Sequence, residues 1–308
     1  TTTMHAIKTI YPAKKMSYTW IGERVSVVDL KKVLENIIFD KDDVSWGPNR
    51  TFRFPLKGGT GKIWRMLYDK LDKEKINFNH EVCEVNTSKK YIKFKNGLKE
   101  DYDVLISTIP LDKLILLSDL KDKSPVHKLT HSSVHIVGIG LKGSVPEHLK
   151  TKYWIYFPEN NSPFYRVCIF SNFSPNNVPD ITEYWSLMAE VSESAEKKID
   201  HAAVKEEVIQ GLLNTGLISS KEQIVDVWHH YEPYGYPTPS INRDDALKVL
   251  KELEKLDVYS RGRFGAWKYE VSNQDHTFMQ GVEVINRIIL NKEEETVWHP
   301  EIVNSRKN

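Results

Sequence analysis

The stretch from about residue 130 to 192 constrains the fold most. It holds "SSVHIVGIGL", "KYWIYFP", "FYRVCIFSNFS" and "EYWSLMAEVSE", segments rich in β-branched and aromatic residues and divided by Pro, Asn, Gly and Ser. Such a run predicts an antiparallel sheet. "HAAVKEEVIQGLLNTG" follows as a helix, with Val204, Val208 and Leu212 on one stripe and Gly216 as its C-cap, and "EQIVDVWHHYEP" returns as a further strand. The expectation is a six-stranded antiparallel lobe from about 129 to 230.

The flanks read differently. "DLKKVLENIIF" places Leu30, Val33, Leu34, Ile37 and Ile38 at helical spacing, and a polar break, "DKDDVSWGPN", follows it. A second amphipathic helix runs through Ile63, Met66, Leu67 and Leu71. Short strands near 78 to 95 lead to a turn at Asn96-Gly97, and "YDVLISTIP" reads as a buried strand ended by proline. Beyond the lobe come a helix at 244 to 254, a glycine-rich turn "SRGRFGAWKYE", a last helix "TFMQGVEVINRIIL" and a polar tail.

A chain of 308 residues suffices for two modest domains, or for one domain carrying an inserted lobe. Its 43 basic and 42 acidic side chains leave a net charge of +1, which gives no electrostatic footprint for nucleic acid, so an anionic ligand must be met by local groups. Cys83 and Cys168 form neither a CxxC pair nor a disulfide framework, and a reducing, cytoplasmic compartment is expected. No apolar run approaches the roughly 20 residues needed to span a bilayer. The opening "TTTMHAIKTIYP" is not a signal peptide, and without an initiator methionine at its head the polypeptide is expected to be processed or incomplete there.

Several motifs are decoys. Lys57-Gly58-Gly59-Thr60-Gly61-Lys62 resembles a phosphate loop, but Leu56 stands where the first glycine is required and Ile63 where a hydroxyl must meet Mg²⁺. A glycine turn into a packed helix is expected instead. Gly138, Gly140 and Gly143 satisfy GxGxxG literally, yet Pro146 lies just beyond them where a dinucleotide site needs a helix, so strand plus turn is expected. His229 and His230 are adjacent on a strand, point to opposite faces and make poor co-ligands for a metal. Neither GxSxG nor HExxH occurs. Arg166, Tyr236, Arg263 and Tyr269 lie among aromatics in loops or at strand ends. Arginine forks and tyrosine hydroxyls suit phosphate oxygens, although each residue is equally readable as a surface arginine or a core tyrosine.

Read with their neighbours, these residues give a resemblance. "WIGERV", "WGPNRTFRFPLKGGTGKIW", "WIYFPENNSPFYRVCIFSNFSP", "YWSLMAEVSES", "GYPTP" and "SRGRFGAWKYEVSNQDHTFMQGVE" resemble the eukaryotic type of UDP-galactopyranose mutases, flavoenzymes of the amine-oxidase fold. The resemblance implies an α/β fold: an incomplete, Rossmann-like FAD-binding domain from 46–128 and 231–308, an antiparallel substrate domain at 129–230 and a helical remnant at 1–45. It implies interconversion of UDP-galactopyranose and UDP-galactofuranose through a sugar adduct at N5 of reduced FAD, covalent catalysis by a cofactor that needs no side-chain nucleophile and no metal.

Carried over, Arg24 and Arg166 bind the diphosphate and Tyr236 and Tyr269 donate to it. Arg263 sits by flavin and galactose, Asn49 lies near the substrate, and Trp154 and Tyr156 lie beside the sugar. Ser272, Asn273, Gln274 and Thr277 meet the flavin, and Val82 the adenosine side. The family's glycine fingerprint is not in this sequence. Two expectations follow: a mutase completed by a partner chain or homo-oligomer that supplies the dinucleotide segment, or a non-catalytic relative serving as a structural or binding subunit. His5 and Thr9 fall where the family offers asparagine and tryptophan to uridine, and Ser272 stands in place of a glycine.

Overall fold

The structure, a computed structural model, describes residues 11–21, 29–41 and 52–305. Along them run β1 (Val82–Asn86), β2 (Tyr91–Phe94), β3 (Lys99–Asp101), β4 (Leu105–Ser107), β5 (His131–Lys142), β6 (Trp154–Tyr156), β7 (Arg166–Ile169), β8 (Tyr184–Glu193), β9 (Ile224–Pro237) and β10 (Val258–Ser260). The chain divides into two units. One comprises Thr1–Ala13, Arg24–Leu71 and Ser133–Pro233; the other comprises Lys14–Glu23, Asp72–Ser132 and Tyr234–Asn308.

The first unit is built on a sheet of order β6-β7-β8-β5-β9. β5 and β8 pair antiparallel from Ser133↔Glu193 to Lys142↔Tyr184. Because side chains alternate faces, this register sends Val137, Ile139, Leu141, Trp185, Leu187, Ala189 and Val191 to one side, where they form a core with Val204, Val208 and Leu212 of the helix Val204–Asn214. Gly211 lets that helix come close: a Cβ there would lie 2.8 Å from Pro163 and 2.9 Å from the Phe164 ring. Gly216, at φ +70°, ends it in the left-handed conformation that glycine adopts without strain.

The lobe has five strands among the described residues, where six were expected. "FYRVCIFSNFS" leaves the ladder after Ile169 and turns helical at Phe170–Phe173. That turn brings the Asn172 amide to the carbonyls of Leu149 and Lys152, at 2.9 and 2.7 Å.

In the second unit, β1, β2 and β3 form an antiparallel sheet, with Gly97 at φ +88° in the expected turn, and β4 pairs parallel with β10. Pro110 ends the strand as expected but also opens an unexpected helix, Leu111–Leu117, that buries Leu111, Leu114 and Ile115. The helix expected at 244 to 254 is two pieces, Arg243–Ala246 and Val249–Glu254, joined by tighter i→i+3 bonds such as Leu250 N–H to the Leu247 carbonyl. The stretch after Leu290 was expected to be a polar tail. It folds back instead, burying Glu294 and Val297 and forming the helix Pro300–Ser305.

Three helices keep apolar side chains in solvent. Leu30, Leu34, Ile37 and Ile38 are exposed on Leu30–Ile38, Ile63, Trp64 and Met66 on Gly59–Tyr68, and Phe278, Met279, Val282, Ile285 and Ile289 on Gln274–Leu290. No helix among the described residues is long and apolar enough to cross a membrane.

Both cysteines are free, Cys83 exposed and Cys168 buried on β7, where burial pushes its thiol up to about 12. Thiolate is the reactive form. A thiol reagent applied to the native chain is expected to modify Cys83 and to reach Cys168 only in denaturant. Peptide mapping that finds both labelled at one rate would contradict the packing of β7.

Candidate functional site

Register places three of the expected site residues on one sheet face. Trp154 pairs with Cys168, Tyr156 with Arg166, and Arg166 with Glu190, so Trp154, Tyr156, Arg166 and Glu190 share the side turned away from the apolar core. Arg166 donates from Nε to Glu190 Oε1 at 2.9 Å, and from Nη2 to Oε1 and Oε2 at 2.6 and 2.7 Å. The Tyr165 hydroxyl donates to the same carboxylate. Glu190 is thereby satisfied although nearly buried, and it fixes the plane of a guanidinium that keeps about a fifth of its side-chain surface in solvent (22%).

Trp154 is held by aromatic contacts, with ring centroids 4.7 Å from Phe52 and 5.2 Å from Phe173. Phe54 also packs on Phe173. These contacts pin Phe52 and Phe54. On the same sheet face, two of the three glycines of the false dinucleotide motif lie beside side chains of β9, at distances where a Cβ would make ordinary contact. A Cβ on Gly138 would touch the Trp228 ring at 3.6 Å, and one on Gly140 would touch Asp226 at 3.5 Å.

In the second unit the structure brings Tyr236, Arg263 and Tyr269 together. The Arg263 guanidinium lies 5.2 Å from the Tyr236 ring centre, and the Tyr236 and Tyr269 rings are 6.0 Å apart. Trp20 meets Tyr269 edge-on at 4.8 Å and reaches it from a segment tied by Ser17 N–H to the Pro239 carbonyl.

The turns carrying Arg263 and Tyr269 are fastened by buried polar groups. Gly262 stands at φ +91°, and a Cβ on Gly265 would lie 2.1 Å from the Arg261 carbonyl oxygen, so the turn admits only glycine there. Gln280, fully buried, accepts from Gly262 N–H at 2.7 Å and donates to the Val271 carbonyl at 2.9 Å, joining the Arg263 turn to the Tyr269–Val271 turn. Arg261 is clamped by Glu294 at 2.6 Å and Glu254 at 2.7 Å, and Arg243 holds Glu270, next to Tyr269, through bonds of 2.6 and 2.9 Å. Burial alone would lower both arginine pKa values, but the facing carboxylates outweigh it and raise them.

Ser272 has φ −113° and ψ 6°, a conformation open to any residue, and its hydroxyl donates to the Tyr269 carbonyl at 2.9 Å. Asn273 is the N-cap of Gln274–Leu290 but makes no side-chain capping bond, and Thr277 bonds locally to the Gln274 carbonyl. Val82 opens β1, in the same unit. Arg24, Asn49, His5 and Thr9 lie outside the described residues. The Lys57–Lys62 stretch is the expected glycine turn, with Gly58 and Gly59 at positive φ leading into a helix. His229 and His230 do point apart: His229 lies 3.0 Å from His135 Nδ1, whereas His230 stacks on Trp228.

Glu190, Arg261, Gly265 and Gln280 escaped the sequence reading. Glu190 carries a faint signal as an acid in the interior of a strand whose other interior residues are apolar or small; the other three are defined only by long-range contacts.

A family model described as flavin containing amine oxidoreductase matches residues 15–265. Among solved structures, a reduced UDP-galactopyranose mutase is similar at a TM-score of 0.91 and 44% identity, over 96% of this chain and 65% of that one. This chain thus spans slightly less than two thirds of that protein's length. A structure from Exiguobacterium sp. 255-15, provisionally assigned as a protoporphyrinogen oxidase, has a TM-score of 0.62 at 15% identity, covering 76% of this chain and 51% of its own. A CLA-producing fatty acid isomerase from P. acnes has a TM-score of 0.52 at 16% identity, covering 75% and 52%. These last two share the fold alone. With most of its length matched by the family model, the chain belongs to the flavin containing amine oxidoreductase family and has its α/β fold.

Proposed function

We propose that the chain is a mutase-type flavoprotein that interconverts UDP-galactopyranose and UDP-galactofuranose with reduced FAD. The observation that carries this reading is the 44% identity, at a TM-score of 0.91 over 96% of this chain, to a UDP-galactopyranose mutase. On this reading the five-stranded unit is the substrate lobe and the other unit is flavin-binding. The pyrophosphate of FAD is met by a glycine-rich βαβ segment outside these 308 residues.

The residues present fit a flavin. Gln274–Leu290 starts without a side-chain cap, so its first-turn amides are suited to an acceptor outside the helix. Ser272, Asn273, Gln274 and Thr277 hold the flavin from this end, Val82 contributes on the adenosine side, and Arg263 borders flavin and galactose. When bound and reduced, FAD supplies a nucleophilic nitrogen for the anomeric carbon.

The chain's own residues manage the leaving group. Arg24 and Arg166 offer positive charge to the departing diphosphate, and Tyr236 and Tyr269 add neutral donors at lower desolvation cost than further cations. Glu190 offsets part of the Arg166 charge, but it holds the fork in one orientation, so little side-chain freedom remains to be lost on binding. Trp154 and Tyr156 place apolar ring faces beside the sugar, and Asn49 approaches the substrate.

Visible spectra of the purified chain with FAD and dithionite, together with chromatography of a UDP-galactopyranose reaction, test this directly. Flavin uptake and formation of the furanose isomer are expected, either from the chain alone or on adding the family's dinucleotide segment. With neither condition producing flavin uptake or isomer, the mutase reading fails. Arg166→Ala is expected to weaken UDP binding by about 2–5 kcal/mol, and Arg166→Lys to leave most of that loss because the planar fork is gone. Titrations giving wild-type affinity for both variants would remove Arg166 from the diphosphate site. Gln280→Leu strips the bonds to Gly262 and Val271 and is expected to cost about 1–3 kcal/mol for each group left unsatisfied. An unchanged melting temperature would show that these turns do not depend on it.

A further inference from the structure

Along most of β5 and β8 the core-facing positions are apolar, but at one end of the sheet the chemistry changes. Val137 gives way to His135, Val191 to Glu193, and on β9 Val227 is followed on the same face by His229 and Tyr231. Burying such groups is unfavourable unless they are paired, and here they converge. His135 Nε2 and His201 Nε2 both lie on one oxygen of Glu193, at 3.0 and 2.9 Å, and the three ligand-capable atoms fall within 4.8 Å of one another.

We propose that His135, Glu193 and His201 form a binding site for a divalent transition-metal ion of the zinc type. Two imidazoles and a carboxylate are a donor set that zinc accepts. In a tetrahedral centre with metal–ligand bonds of about 2.0–2.2 Å, ligand atoms sit about 3.3 Å apart. The two histidine–carboxylate spacings need to open by a few tenths of an ångström, while the His135 and His201 nitrogens, within 4.8 Å of each other, draw together around the ion. His135 is fully buried and Glu193 nearly so, whereas His201 is about half exposed, which leaves an open side for entry and for a water as fourth ligand.

The surroundings supply what a ligating histidine needs behind it. When metal takes the Nε2 lone pair of neutral His135, its proton moves to Nδ1; the His229 proton moves from Nε2 to Nδ1 in the same exchange, so that across 3.0 Å His135 becomes the donor and His229 Nε2 the acceptor. His201 undergoes the same shift of tautomer, and no proton is lost. The rings of His201 and Tyr231 are 4.7 Å apart, and Tyr231 is anchored by its hydroxyl to Ser133 Oγ at 3.0 Å. Lys197 hydrogen-bonds Ser192 Oγ at 3.2 Å and places a positive charge in the same corner, which weakens the site without occupying it. A bound ion would tie β5 and β8 to the segment leading into the helix Val204–Asn214.

The full chain, stripped with EDTA and dialysed, is titrated with Zn²⁺ by calorimetry and thermal denaturation, and with Co²⁺ by visible spectroscopy. Stoichiometric binding at micromolar metal, a raised melting temperature and the intense d–d bands of a four-coordinate cobalt centre are expected. His201→Gln is expected to weaken binding by more than about tenfold, and His229→Gln by about 10–100-fold. Should His201→Gln fail to fold, the cobalt spectrum of the wild type carries the test. Three results overturn the proposal: no uptake at micromolar metal, a cobalt spectrum of the six-coordinate aquo type, or wild-type affinity in a folded His201→Gln. The first would leave a purely hydrogen-bonded cluster, and the last would place the ion on another group such as His299 with Glu293.

Discussion

The ladder between β5 and β8 is the constraint on which the sheet unit depends. Its ten cross-strand pairs fix which side chains meet the helix Val204–Asn214 and which meet whatever binds on the opposite face. The strand period is two, so a slip of one residue would carry Val137, Ile139 and Leu141 outward and push Ile136, Gly138 and Gly140 into the core. A slip of β8 against β7, its other neighbour, would likewise take Glu190 away from Arg166. Packing of the core and presentation of an oriented arginine are therefore one event. The apolar area buried on one face enforces the geometry of the polar pair on the other.

The second unit solves a different problem. Arg263 and Tyr269 sit on turns, which are intrinsically soft, and these are stiffened by buried charge. Removing Arg261, Arg243, Glu254, Glu270 and Glu294 from water costs free energy that their attraction recovers only when geometry is good and all donors are used. Arg261 comes close to that condition, making four hydrogen bonds from its five N–H groups, to both oxygens of Glu294, to Glu254 and, at 2.9 Å, to the Ser260 carbonyl. Such networks contribute little net stability against an apolar packing of the same volume. What they contribute is definition, because a misplaced loop would leave a buried charge uncompensated.

Much of this was legible in the sequence, for physical reasons that can be named. The strands at 131–142 and 184–193, the helix at 204–214 and the turn at Gly97 follow from local chemistry, and there sequence and structure agree. The decoys at Gly58–Lys62 and Gly138–Gly143 were rejected on missing partners, and the structure gives those glycines ordinary duties in a turn and under side chains of β9. The helix at 111–117 escaped because Pro110 serves two roles, ending one element and opening another, although the spacing of Leu111, Leu114 and Ile115 carried the signal. The break at Ile169 and the fold-back that buries Glu294 depend on partners far away in the chain, as do the ties made by Gln280 and the space denied at Gly265. Arg166, Tyr236, Arg263 and Tyr269 were visible as residues of the right chemistry, but nothing local could announce that Glu190 would hold the first of them.

The apolar stripes left in solvent on three helices have a consequence for the molecule as a material. Colloidal stability rests on like-charge repulsion outweighing apolar attraction between copies, and a chain with net charge +1 and a pI near 7.7 has almost no repulsion to offer at neutral pH. Ile37, Trp64 and Ile289 are then sticky points on a nearly uncharged particle. In dilute buffer near neutrality these 308 residues are prone to isoelectric association, and they are best kept in solution a pH unit or two away from their isoelectric point.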